Sequence, residues 1–157
     1  MKRERFWEVI GASRQGAHGR FPLQLKRLDH RPRTMSLDEV ASFERHFGDL
    51  QDEADSDELR TVANELGGGC GDDSWSDFTS WLISMGQGAY EAIDEPEHLR
   101  GFAAESEDIE FEEFQHVAGW VENELTPGCD PLVEDPDAYW RDIPDPQWNP
   151  SHTSGGV

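Results

Sequence analysis

Cys70, Asp72 and Asp73 are the residues of this chain best placed by type and spacing to do chemistry. They share one glycine-rich turn, Gly67-Gly68-Gly69-Cys70-Gly71-Asp72-Asp73. A cysteine reacts as its thiolate, and a nearby helix N-terminus favours that form. Asp72 and Asp73 oppose it by adding negative charge. Nucleophilic catalysis also needs a base, for which His46 and His116 are the candidates. The plainer role for Cys70 is a small hydrophobe packed under a loop. For Asp72 and Asp73 it is capping the next helix, with Ser74 as a further candidate cap. Their functional reading is a cation or amine site completed by Glu112 or Glu113. An anionic phosphate fits poorly beside two carboxylates, and the Lys-Ser/Thr ending of a phosphate-binding loop is missing.

Glu113 and His116 have Glu-x-x-His spacing, a weak pointer to metal, because carboxylate-bridged dimetal sites use two such motifs and this chain carries one. Asp52 to Asp57 is acidic but lacks the central glycine and terminal glutamate of an EF-hand loop. No metal and no cofactor is therefore expected. Trp75 or Trp81 could wall a pocket beside the glycine turn, although Trp81 also falls at core spacing with Phe78 and Met85. Trp140 and Trp148 lie in a proline-rich acidic tail and suit a partner-facing patch.

The elements that must position these residues read as helices. Phe6, Trp7 and Ile10 form a short apolar face, and Leu25 and Leu28 another. Ser36 and Glu39 make a capping box flanked by Met35 and Val40, opening a helix at about residues 37 to 50. Leu59, Val62, Ala63 and Leu66 run up to the glycines. Phe78, Trp81, Leu82 and Met85 line the helix after them, which Gly86 and Gly88 weaken or end. Tyr90 and Ile93 continue beyond a bend. Pro96 suits the first turn of a small helix through Phe102, and Phe114 to Leu125 marks the last helix. The fold expected is all-α, a compact single-domain bundle of about six or seven helices over residues 1–125. Residues 126–157 form an acidic Pro/Trp-containing tail, mostly irregular and partly packed on the domain through Leu132, Tyr139, Trp140 and Trp148.

The 157 residues carry a net charge of −21. Residues 1–33 hold nine of the thirteen basic residues against three acids, a net of +6, and the remainder nets −27. That field repels duplex DNA and anionic membranes and attracts cationic partners. Two cysteines, Cys70 and Cys129, are too few for a disulfide scaffold. With no signal-peptide run and no membrane-length apolar stretch, the expected location is the cytoplasm.

Arg5-Phe6-Trp7-Glu8-x-Ile10, Phe43-x-x-His46-Phe47, Gly68-Gly69-Cys70-x-Asp72-Asp73 and Phe78-x-x-Trp81-Leu82-Ile83-x-x-Gly86-x-x-x-Tyr90 occur in that order. Over residues 4–125 this resembles a bacterial family common in actinobacteria, domain of unknown function 4240. The resemblance implies a small, mostly helical cytoplasmic domain and no established activity. Members carry tryptophans in the helix before the glycine turn, where this chain reads Asp57-Glu58-Leu59-Arg60-Thr61-Val62. If those aromatics line a pocket in relatives, that pocket is different or absent here.

The leading expectation is a non-enzymatic module that binds a protein with a basic surface, without direct nucleic-acid or membrane contact. The alternative is a small enzyme or small-molecule binder, tailoring a metabolite or peptide at the Gly-Cys-x-Asp-Asp turn. A third possibility is a phosphate mimic that occupies a nucleic-acid-binding protein.

Overall fold

A computed structural model describes residues 1–17, 19–66, 71–106 and 108–128. Among them are eight α-helices and no strand: α1 (Arg3–Arg14), α2 (Phe21–His30), α3 (Leu37–Glu53), α4 (Asp57–Glu65), α5 (Asp72–Ser84), α6 (Gln87–Glu91), α7 (Pro96–Ala104) and α8 (Glu112–Leu125). Pro32–Thr34 and Ala92–Asp94 add single 3-10 turns. The all-α reading holds. The eighth helix is the short α6, which carries Tyr90 on past the bend after α5.

The Ser36–Glu39 capping box opens α3 as its spacing predicts. The Glu39 backbone N–H donates to Ser36 Oγ at 3.3 Å, and the Ser36 N–H donates to Glu39 Oε2 at 3.0 Å. Val40, Phe43, Phe47 and Leu50 are the buried face of α3. The helix runs to Glu53, three residues beyond the expected end, because nothing before Ala54 breaks it. The apparent calcium-like run is thus split between the end of α3 and the α3–α4 corner.

Helix α5 is the hub. It packs against α1, α3, α4, α6 and α8, and every residue from Phe78 to Ser84 is buried. So wide a buried surface leaves polar groups that must be satisfied internally. The Trp81 indole N–H donates to Ser106 Oγ at 2.9 Å, Ser80 Oγ donates to the Phe111 carbonyl at 2.6 Å, and Ser84 Oγ donates to the Trp81 carbonyl at 2.6 Å. Gly86, at φ +100°, then turns the chain into α6. That left-handed angle is one a side chain resists.

A run of aromatic rings crosses the interior. Tyr90 meets Trp7 (centroids 5.5 Å apart), Trp7 meets Phe6 (5.2 Å), Phe6 meets Phe47 (6.3 Å) and Phe47 meets Phe114 (6.0 Å). Phe114 meets Phe111 at 5.1 Å, and Phe111 stacks on Phe21 at 3.8 Å. Such pairs add about 0.5–1.5 kcal/mol each beyond burial of their area. They join α1, α2, α3, α6 and α8 into one interior. Buried Gln24 closes the remaining seam by donating from Nε2 to the Ser84 carbonyl at 2.7 Å.

Replacing Ser36 with Ala removes one half of the capping box, and a loss of about 1 kcal/mol is expected. Urea unfolding should register it as a lower midpoint with an unchanged slope.

Candidate functional site: an acidic face on the ends of α5 and α8

Helix α5 begins differently from the sequence expectation. Gly71 is its N-cap, in extended conformation and with no side-chain cap bond. Asp72 and Asp73 occupy the first turn itself, exposed, where their charge complements the helix dipole. Capping is therefore not their role, and the correction follows from the helix starting one residue earlier than a capping aspartate would require. Cys70 lies outside the described residues, as do Trp140 and Trp148.

Trp75 and Trp81 lie in the core. Trp81 is fully buried and offers a ligand no surface. Trp75 is covered by Arg60, whose guanidinium carbon sits 4.4 Å from the ring centroid. Arg60 also donates from Nε to Asp55 Oδ1 at 2.8 Å, and the charges of Asp72 and Asp57 act on it. One arginine thus links the α3–α4 corner to the first turn of α5. That corner exposes six carboxylates within ten residues: Asp49, Asp52, Glu53, Asp55, Asp57 and Glu58.

The acidic face continues one turn along α5. Asp77 is held above the ordinary aspartate range by partial burial, then by the charges of Glu112, Glu110 and Asp73. A bond from Gln115 Nε2 to Asp77 Oδ1 at 3.2 Å works against that rise. Gln115 is itself fixed by Ser76 Oγ, which donates to its Oε1 at 2.7 Å, and by Gln51 Nε2 at 3.3 Å. Gln51 reaches Thr79 Oγ1 as well, at 3.1 Å. A polar network from α3, α5 and α8 therefore holds the Asp77 carboxylate in place, with the Phe111 N–H bonded to the Asp77 carbonyl at 3.0 Å.

The other candidates disperse. His46 bonds the Met1 carbonyl at 2.9 Å and packs against Phe6. His116 is exposed, its ring 5.9 Å from that of Trp120. Glu113 lies on the same helix, partly buried. Among the described residues no three histidine, cysteine, aspartate or glutamate side chains converge to hold a metal ion.

A hollow of about 680 Å3 opens at the opposite end of α5, bordered by Arg14, Gly16, Met85, Gly88, Phe102 and Glu105. Thirteen helical residues separate the two ends, about 20 Å at the usual rise. Close approach shapes its floor: a Cβ on Gly19 would stand 2.1 Å from the Glu105 carbonyl oxygen. Arg14 spans it, 3.4 Å from Glu105 and 5.8 Å from the Phe102 ring centre.

Residues 1–121 match the family model described as "Protein of unknown function (DUF4240)". The chain belongs to the DUF4240 family. No curated protein and no solved structure matches it. Within this DUF4240 chain the described motif residues are mostly interior. Phe6, Trp7, Ile10, Phe43, Phe47, Phe78, Trp81, Leu82, Ile83 and Tyr90 all belong to the core. The Tyr90 hydroxyl donates to the Leu50 carbonyl at 2.7 Å, and burial pushes its pKa up to about 12. These core positions therefore report the fold, while Arg5, Glu8, Asp72 and Asp73 are motif residues that reach the surface. No described helix is long and apolar enough to cross a membrane.

Asp77→Asn keeps an acceptor for Gln115 and removes the charge that Glu112, Glu110 and Asp73 oppose. Because the folded protein raises the proton affinity of Asp77, its ionisation costs stability as pH rises through the raised pKa. The variant should gain a few tenths of a kcal/mol at neutral pH, solvent screening keeping the effect small. In paired urea titrations the gain should shrink as pH falls through the raised Asp77 value and vanish below the ordinary aspartate range.

Proposed function

We propose that this domain docks a protein with a basic surface through the acidic face around Arg60, Asp73 and Asp77. The observation that carries this reading is the convergence of like charge on Asp77 from two segments distant in sequence. Folding alone would separate such groups, since bringing carboxylates together costs free energy that a cationic partner can return. The end of α3 adds support. Asp49 and Asp52 lie in its last turns, where the helix dipole disfavours negative charge and no basic residue of the helix stands, while neighbouring Glu53 is paired with Arg3 of α1. The same field repels phosphate backbones, which favours a protein partner over nucleic acid. Arg60 and Trp75 give the face a planar cation at its centre, which suits recognition of a carboxylate or aromatic group within an otherwise basic surface.

A synthetic lysine- and arginine-rich peptide serves as a defined probe. The triple change Asp72→Asn, Asp73→Asn, Glu112→Gln should weaken its binding by roughly tenfold at low salt, three screened charge contacts together being worth about 1.5 kcal/mol. An equal change of net charge elsewhere, Glu4→Gln, Glu91→Gln, Asp94→Asn, should leave affinity within about twofold. Raising the salt concentration should collapse the difference. Equal losses in both triple variants would reduce the effect to net charge and remove the proposed face.

A further inference from the structure

The hollow of about 680 Å3 at the C-terminal end of α5 takes no part in the docking face, and its size is that of a small-ligand pocket. Segments distant in sequence build it: the end of α1, the turn that follows, the α5–α6 corner and the end of α7. Gly19 lets the chain after α7 close against that turn, where the Glu105 carbonyl leaves no room for a Cβ. The Glu105 carboxylate meets Arg14 beside it, 3.4 Å from Nη2. That length lies beyond the ordinary range for an N–H···O bond, so the pair is loosely tied. Among the described residues neither group has a second ionic partner. An exposed pair of this kind adds little to stability. What it provides is two opposite charges side by side on the rim of a hollow whose wall is partly apolar. Phe102 lies under the Arg14 guanidinium, and buried Met85 extends the wall.

We propose that this hollow binds a free α-amino acid with an apolar side chain. Arg14 donates to its carboxylate, Glu105 accepts from its ammonium group, and its side chain lies against Phe102 and Met85. The ligand thus exchanges one loose ion pair for two charge-assisted contacts. Both charged groups of an α-amino acid branch from one carbon, which suits an arginine and a glutamate that already touch. The charged ends of a peptide stand farther apart. Overall charge points the same way. The chain carries −21, a field that opposes entry of a simple carboxylate, whereas a zwitterion has no net charge. A simple amine would leave Arg14 without a counter-charge. The site stands at the other end of α5 from the docking face, and neither reading depends on the other.

Titration of the full chain with phenylalanine and leucine, followed by the backbone amide NMR signals, tests the site. Met85 and Gly88 should shift saturably with one or both, while Asp72 and Asp73 stay in place. N-acetylphenylalanine lacks the ammonium group and phenylalaninamide lacks the carboxylate. Each should bind the parent roughly tenfold more weakly than phenylalanine does. Glu105→Gln should erase the preference for phenylalanine over its N-acetyl form, and Arg14→Gln the preference over its amide. Gly88→Leu puts a side chain where a Cβ meets nothing within 4 Å. It should keep the melting temperature of the parent and lose the binding. Absence of saturable shifts with both amino acids would overturn the proposal. So would equal affinity of the parent for phenylalanine and its N-acetyl form, or binding that survives unchanged in Arg14→Gln and Glu105→Gln.

Discussion

Burial of α5 on nearly every side is the constraint from which the rest of the molecule follows. A helix surrounded by five others cannot leave its indole and hydroxyl groups to water. Trp81, Ser80 and Ser84 therefore find partners at Ser106, Phe111 and within the helix itself. Those bonds fix the segment between α7 and α8 and seat Phe111 above Phe21. With Phe78 to Ser84 committed to the interior, only the N-terminal turns of α5, with Asp72 and Asp73, reach solvent. Its buried C-terminal end leads through Gly86 to the hollow that Arg14 spans. The acidic face is thus mounted on the most deeply embedded element, as a recognition surface needs if it is to hold its geometry.

The helices were legible because their apolar residues repeat at helical spacing and because the capping box of α3 leaves a local signature. Val40, Phe43, Phe47 and Leu50 needed no tertiary information. The start of α5 was less legible. Aspartates beside a glycine run suggest a cap, yet Gly71 takes that position and the acids gain from the dipole one and two residues later. Local propensity does not separate these outcomes, since Asp is favourable both at the cap and in the first turn.

The acidic face could be read from sequence only in fragments. Glu112 was a candidate partner for the glycine-turn acids, and the structure does bring its charge to bear on Asp77 together with that of Asp73. Asp77, Glu110 and Arg60 were missed, because nothing in their spacing announces that residues 55–60, 72–77 and 110–112 share a surface. Their approach is set by the packing of α5 against α4 and α8. The motif residues taught the same lesson from the other side. Trp81 is interior, as its helical spacing with Phe78 and Met85 indicates, and Trp75, the other candidate pocket wall, also belongs to the core. A family signature dominated by such positions identifies an architecture more readily than an activity.

Amide hydrogen exchange in the native state tests most directly whether α5 is the hub. Trp81, Leu82 and Ile83 should exchange only through global opening, with the free energy that urea unfolding gives for the whole domain and together with Val117 and Val121 of α8. Exchange of α5 through a cheaper local opening, while α3 and α8 remain protected, would contradict the account at its centre.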